Sequence, residues 1–290
     1  MARFEGVYVA LVTPFTDDYE VDYKRLAELC EWQIAHGANG LVPAGSLGEY
    51  ATMSSEERAK VVETVIEAAK GKVPVVVGSA APSTKQAVYW VRHAKEKGAA
   101  GVMALPPINY RPLEHEVEAH FAAINEVGLP IVGYNNPHDY KVDLTPDFLA
   151  KLAKLDQFVA VKEFSGDIRR VHEILEKTNL EVMIGVDNLA MEGPLFGATG
   201  WISGVSNALP REGAELFRLS REGKLEEAMK LYRHLLPLFR FDANAQLVQS
   251  IKYMMELAGF PVGPARPPRL PLPEADYQAI REAFEYAVNR

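Results

Sequence analysis

The sequence predicts an α/β fold: a (β/α)8 TIM barrel with a C-terminal helical extension. Three observations predict it. Short apolar runs bounded by glycine or proline alternate with amphipathic helical segments as far as about residue 208. These units recur about eight times at roughly 30 residues each, which suits a closed barrel better than an open doubly wound sheet. No linker or shift of composition divides the 290 residues. We therefore expect a barrel over 1–208 and a helical layer over 209–290 packed on it, the two forming a single structural unit.

The first strand is expected over 6–12, closed by Thr13-Pro14. The first helix runs from about 22 to 36 and stops at Gly37, a residue free to take the left-handed conformation that ends helices. Strand two is 40–43. After a glycine-bearing loop, Ser54-Ser55-Glu56-Glu57 supplies a hydroxyl cap and an acidic first turn for a helix reaching 69. Strand three is 73–78, with a helix from 83 or 84 to just before Gly98; strand four is 101–105, then a proline-rich loop and a helix over 114–127. Strand five (130–134) leads to a helix after Thr145, and strand six (158–162) to one after Asp167. Strand seven (181–185) precedes a short helix near 189–196, and 200–203 is the last strand. In the tail, apolar residues recur at helical spacing over 225–239 and 248–257, with a proline-rich bend at 261–273.

A hydrophobic content of 48% supplies a sizeable core. The net charge of -8, with no run of lysine or arginine, argues against nucleic-acid or anionic-membrane partners, which need clustered cations. Small anionic substrates remain compatible, because local donors decide their binding. The single cysteine, Cys30, cannot form an internal disulfide and shares a helical face with Leu26, Leu29, Gln33 and Ile34, so core filling is its expected role. The first residues carry no basic-then-apolar signal, and no apolar run reaches the ~20 residues of a membrane span. The expectation is a soluble cytoplasmic protein.

Barrels of this kind carry their catalytic groups at the carboxyl ends of the strands and in the loops that follow. Strand six ends on Lys162. An ammonium is costly to take out of water, so burial lowers its pKa and leaves a neutral amine able to attack a carbonyl. Lys162 is thus the candidate Schiff-base nucleophile, although a strand-end lysine alone also fits a surface or paired role. Strand two leads into Gly45-Ser46-Leu47-Gly48-Glu49, whose glycines could turn backbone N–H groups toward a carboxylate, or merely make a turn. Strand five ends on Tyr134 in Tyr134-Asn135-Asn136-Pro137, a phenol able to relay protons or simply to pack. Neighbouring strands bring Tyr134 and Lys162 to one rim. Glu163 should point the other way, into a barrel-wall ion pair. His115 and His120 stand five apart and do not share a helical face, and there is no paired-cysteine motif, so no metal site is expected. With no G-x-G-x-x-G after a strand and no Walker loop, no nucleotide cofactor is expected either.

In order and at barrel spacing, these motifs resemble the dihydrodipicolinate synthase and N-acetylneuraminate lyase family of class I aldolases over nearly the whole chain. The resemblance rests on Gly45-Ser46-Leu47-Gly48-Glu49, Tyr134-Asn135-Asn136-Pro137, Val161-Lys162-Glu163 with Ser165-Gly166-Asp167, and Gly185-Val186-Asp187-Asn188 with Ile202-Ser203. It implies that Lys162 is the Schiff-base lysine, Tyr134 the proton relay, and Ser46 a hydrogen-bond partner of that tyrosine. The substrate carboxylate would rest on the backbone of Ser46 and Leu47, between Gly45 and Gly48. Gly185, Ile202, Asp139 and either Asn109 or Tyr110 are the further substrate-binding positions implied. The implied partner is a small 2-oxo or 2-imino acid, the implied assembly a homotetramer, and no cofactor is needed beyond the covalent imine on Lys162.

Three departures from the family pattern bear on the substrate. The synthases carry two threonines where this chain has Ser46 and Leu47, and an arginine where Asp139 stands. An aspartate cannot replace a bidentate cation and repels a carboxylate. The relay tyrosine that the synthases borrow from a neighbouring subunit aligns here with Asn109 or Tyr110. The second half is similar to the subgroup that deaminates 1-pyrroline-4-hydroxy-2-carboxylate, through residues 185–192, 197–204, 247–252 and 266–272. Trp201 as barrel packing, with Lys252 and Arg269 as interface or surface ions, is the plain structural alternative there. The expected reaction is deamination to 2,5-dioxopentanoate and ammonia. Alternatives are a pyruvate-dependent aldolase or synthase (a 2-keto-3-deoxy sugar acid aldolase or 4-hydroxy-tetrahydrodipicolinate synthase), a dehydratase of a sugar-derived keto acid, and a non-catalytic ligand-binding barrel.

Overall fold

The computed structural model describes residues 4–108 and 110–289. Its strands are β1 (Gly6–Ala10), β2 (Gly40–Val42), β3 (Val76–Gly78), β4 (Gly101–Ala104), β5 (Ile131–Asn135), β6 (Phe158–Glu163), β7 (Glu181–Ile184) and β8 (Gly200–Ser203). They pair in parallel in the order 2-1-8-7-6-5-4-3. The circle closes between β2 and β3 through a parallel bridge of Leu41 with Val75 and a bond from the Gly78 N–H to the Pro43 carbonyl at 2.9 Å. This is the predicted (β/α)8 barrel. β3 spans only the three residues that pair with β4, so the third strand is shorter than the apolar run 73–78 suggests.

The helices are α1 (Tyr23–Ala35), α2 (Ser55–Ala69), α3 (Thr84–Glu96), α4 (Glu114–Asn125), α5 (Pro137–Tyr140), α6 (Pro146–Leu152), α7 (Arg169–Lys177), α8 (Glu192–Leu195), α9 (Pro210–Arg221), α10 (Leu225–Phe239), α11 (Leu247–Leu257) and α12 (Glu274–Val288). Their starts follow local chemistry. Asp22, Ser83 and Thr145 each accept a first-turn N–H, and Ser54 forms a reciprocal capping box with Glu57. The inner face of α1 buries Leu26, Leu29, Cys30 and Gln33, which places the lone cysteine in the core. On α4, His115 is exposed while His120 is buried against Thr84 and the Leu105 carbonyl.

Helices α9 to α12 form the C-terminal layer: α9 lies on β1 and α10, and both α10 and α11 pack on α12. The layer shares the barrel's core, since Phe239 of α10 meets the fully buried Trp201 of β8 edge to face at 5.7 Å. Among the described residues no helix is long and apolar enough to cross a membrane.

Candidate active site

The register of β5 and β6 sets Tyr134 directly beside Lys162, both at the carboxyl end of the barrel. Above them opens a cavity of about 630 Å³ that is also lined by Gly45, Ser46, Leu47, Gly48, Asp139, Gly185 and Ile202. All of these predicted site positions thus meet at one place. Tyr110 does not join them: its side chain is exposed and lies outside the cavity. Asn109 lies outside the described residues.

Lys162 is buried, and burial lowers its pKa to about 8, against the pull of the Asp242 and Asp187 carboxylates. Its Nζ sits 4.3 Å from the centre of the Tyr134 ring. The space for its chain comes from Gly185, where a Cβ would stand 2.9 Å from Lys162 Cε. Burial also raises the pKa of Tyr134 well above its usual value, and its hydroxyl accepts a bond from Asn136 Nδ2 at 3.3 Å. Tyr134 is therefore a neutral phenol at physiological pH, able to donate a proton.

The cradle loop is built differently from the glycine-driven turn expected. The left-handed residues are Ala44 (φ 56°) and Glu49 (φ 58°), which bracket the loop. Backbone held in this region by non-glycine residues is characteristic of functional sites. Gly48 serves close approach instead, since a Cβ there would lie 2.9 Å from the Leu11 carbonyl oxygen. Thr13 donates to the Gly48 carbonyl at 2.7 Å and ties the loop to the first strand's exit.

Ser46 was expected to bond Tyr134. Its hydroxyl instead lies 2.5 Å from that of Tyr140, the last residue of α5. The short helix explains the difference: Asn136 caps it by accepting the Asp139 N–H, and that turn brings Tyr140 over Tyr134, ring centres 5.7 Å apart. Burial pushes the Tyr140 pKa up to about 12. Asp139 is fixed by Asn136 Nδ2 at 2.7 Å.

Among the described residues Glu163 makes no barrel-wall ion pair. Its oxygens accept from Asn135 Nδ2 (2.9 Å) and the Ser165 N–H (2.6 Å), while the nearby Arg170 forks onto Asp143. Lys252 is not a surface ion either, being buried against Glu49 at 3.0 Å, with Arg269 3.7 Å from the same carboxylate. Trp201 packs in the core and also donates Nε1–H to Asp187 at 2.8 Å. Residues that sequence reasoning missed as lining the cavity are Tyr140, Asn136, Phe164 and Asp242. Among the described residues no cluster of three or more His, Cys, Asp or Glu side chains could hold a metal ion.

The profile of the Dihydrodipicolinate synthetase family matches residues 3–287. The chain belongs to this family. It is a class I aldolase-type lyase of the family. Its relatives include the 4-hydroxy-tetrahydrodipicolinate synthase of Methanosphaerula palustris, 37% identical over 94% of each chain. Another is the enzyme of the same name from Methanospirillum hungatei, 37% identical over 97% of this chain and 98% of the relative. Among solved structures, dihydrodipicolinate synthase from Aquifex aeolicus superposes with a TM-score of 0.93 at 31% identity, covering 97% of both chains. The Acinetobacter baumannii enzyme, complexed with pyruvate, gives 0.92 at 30% identity, covering 98% of this chain and 99% of that one. These four relatives bear the synthase name, so the likeness to the deaminase subgroup rests on the quoted motifs alone.

Proposed function

We propose that this lyase holds a small 2-oxo acid of the pyruvate type as an imine on Lys162. Its carboxylate would lie on the 45–48 loop, and Tyr134 would move protons at the reacting carbons. The observation that carries the reading is a buried amine with a pKa lowered to about 8, touching a neutral phenol beneath a loop of backbone donors. The neutral amine attacks the 2-oxo carbon, and loss of water gives a protonated imine. That cation acts as an electron sink, so the neighbouring carbon can lose a proton and become an enamine nucleophile. No other cofactor is required.

The names of the curated relatives support a second half in which the enamine adds to an aldehyde, as in 4-hydroxy-tetrahydrodipicolinate synthase. A second reading, deamination of 1-pyrroline-4-hydroxy-2-carboxylate, is favoured by Asp139. Its carboxylate lines the cavity where the synthase pattern asks for an arginine, and it disfavours a second anionic substrate. In that reaction the ring imine exchanges onto Lys162, the 4-hydroxyl leaves as water with a proton from Tyr134, and hydrolysis releases ammonia and 2,5-dioxopentanoate. Assembly into a homotetramer and a cytoplasmic location are proposed alongside either reading.

The test is borohydride trapping with pyruvate, followed by peptide mapping, run beside two turnover assays. Pyruvate consumption with aspartate semialdehyde supports the synthase. Ammonia release from 1-pyrroline-4-hydroxy-2-carboxylate supports the deaminase. Absence of any adduct on Lys162 overturns the shared first half.

A further inference from the structure

Two buried carboxylates lie close to Lys162, and their surroundings differ. Asp187, at the exit of β7, accepts four donors: Trp201 Nε1 at 2.8 Å, Val205 N at 2.7 Å, Gly204 N at 3.3 Å and Ser203 Oγ at 3.3 Å. Both of its oxygens are occupied by N–H or O–H groups, so it is fixed as an acceptor. Asp242 comes from the loop between α10 and α11, where the C-terminal layer crosses the mouth of the barrel, and its side chain is 6% exposed. It lines the reaction cavity with Lys162. The fold clears room for it, since a Cβ on Gly204 would stand 2.0 Å from Asp242 Oδ1. A buried carboxylate beside a second one that is held ionised favours the protonated form.

We propose that Asp242 is the acid that completes the imine on Lys162, donating its proton to the departing hydroxyl and remaining as the counter-ion of the cation formed. When Lys162 Nζ has added to the 2-oxo carbon and passed on its extra proton, the carbinolamine bears a hydroxyl. The nitrogen lone pair forms the C=N bond, the C–O bond breaks, and the oxygen leaves as water with the Asp242 proton. A neutral pair thereby becomes an iminium and a carboxylate, with atoms and charge balanced. An ion pair formed in a buried cavity avoids leaving an uncompensated cation there. Asp187 cannot serve, because its lone pairs already hold donors. Tyr134 then remains free for the proton at the neighbouring carbon.

The proposal rests on the Schiff-base reading of Lys162, and one experiment separates the two. The rate of borohydride-trappable adduct formation with pyruvate is measured for the full-length enzyme and for Asp242→Asn, Asp242→Glu and Gly204→Ala across pH 6 to 10. Besides Lys162 and Asp187, the titratable groups around the cavity are Tyr134, Tyr140, Asp139, His138 and Arg269. Asp242→Asn is expected to slow adduct formation by roughly 10²-fold, in the range of general acid catalysis. Loss of the acid should also remove the fall in rate that deprotonation of Asp242 imposes on the alkaline side of the pH profile, while the amine limb set by Lys162 stays in place. Asp242→Glu should restore part of the rate, and Gly204→Ala, which displaces the carboxyl without deleting it, should mimic the asparagine variant. Trapping at the wild-type rate and with the wild-type profile in a folded Asp242→Asn enzyme overturns the proposal and leaves the Lys162 reading intact. A wild-type enzyme that traps no pyruvate overturns both.

Discussion

Gly185 offers a direct test of how the lysine is positioned. An alanine there would place its Cβ 2.9 Å from the Glu163 carbonyl oxygen, from Lys162 Cε and from Phe164 Cδ2, where ordinary contact starts at 3.4 Å. The shortfall is about 0.5 Å on three sides, one of them backbone of β6 that cannot give without disturbing the sheet. Overpacking of this kind costs about 1–3 kcal/mol. At roughly 2–4 °C per kcal/mol for a large domain, melting should fall by several degrees. The softest neighbour is the lysine chain, so Lys162 Cε should carry most of the displacement. With a 1 Å misplacement worth about 10²-fold in rate, half of that predicts a loss of about tenfold in adduct formation. Timed borohydride trapping with pyruvate measures the rate and calorimetry the stability. A Gly185→Ala enzyme with unchanged melting and unchanged trapping would refute the claim that this glycine exists to clear space for the lysine.

Other consequences are equally specific. Lys162→Ala should abolish both turnover and the trapped adduct, checked by intact-mass spectrometry. Tyr134→Phe should lower turnover about 10²-fold or more while the adduct still forms, because the phenol moves protons after the amine has attacked. The attacking form is the neutral amine, so adduct formation should rise about tenfold per pH unit up to about 8 and then level off. A rate falling across that window would contradict the assignment. Glu49→Gln leaves the buried Lys252 ammonium without its anion, and breaking such a pair costs about 3–5 kcal/mol, to be read from urea denaturation.

The barrel was legible because its signals are local. The positions of the strands, capping residues such as Asp22 and Ser54, and the stop at Gly37 depend on a few neighbours in sequence, and the predicted starts of α1, α2, α3, α6 and α7 lie within two residues of their observed places. Lys162 and Tyr134 were legible for a related reason: the parallel register of adjacent strands aligns their carboxyl ends without further information. What escaped prediction depends on how loops fold over the rim. Tyr140 reaches Ser46 only because Asn136 caps a four-residue helix, and Asn-Pro reads in sequence as a plain turn signal. Asp242 stands in a loop 80 positions beyond Lys162, with no motif around it, and only the packing of α10 on the barrel brings the two together. Glu163 misled by strand alternation, which gave its direction correctly but not the Asn135 amide and Ser165 N–H waiting there.

The tail also has a second hold on the site, at the carboxylate-cradle loop. Glu49, held in a left-handed conformation at the end of that loop, is fully buried and would be strongly disfavoured as a lone anion. Among the described residues its partners come from the C-terminal segment: Lys252 of α11 at 3.0 Å, the Arg266 N–H at 2.9 Å and Arg269 at 3.7 Å. Arg266 in turn grips Glu57 in the first turn of α2 and the Tyr19 carbonyl, and its guanidinium lies 4.5 Å over the Phe15 ring. The strained loop and the proline-rich segment therefore hold each other in place. Removing the segment would leave a buried charge beside the cradle, so loss of this distant stretch should disturb carboxylate binding before it unfolds the barrel.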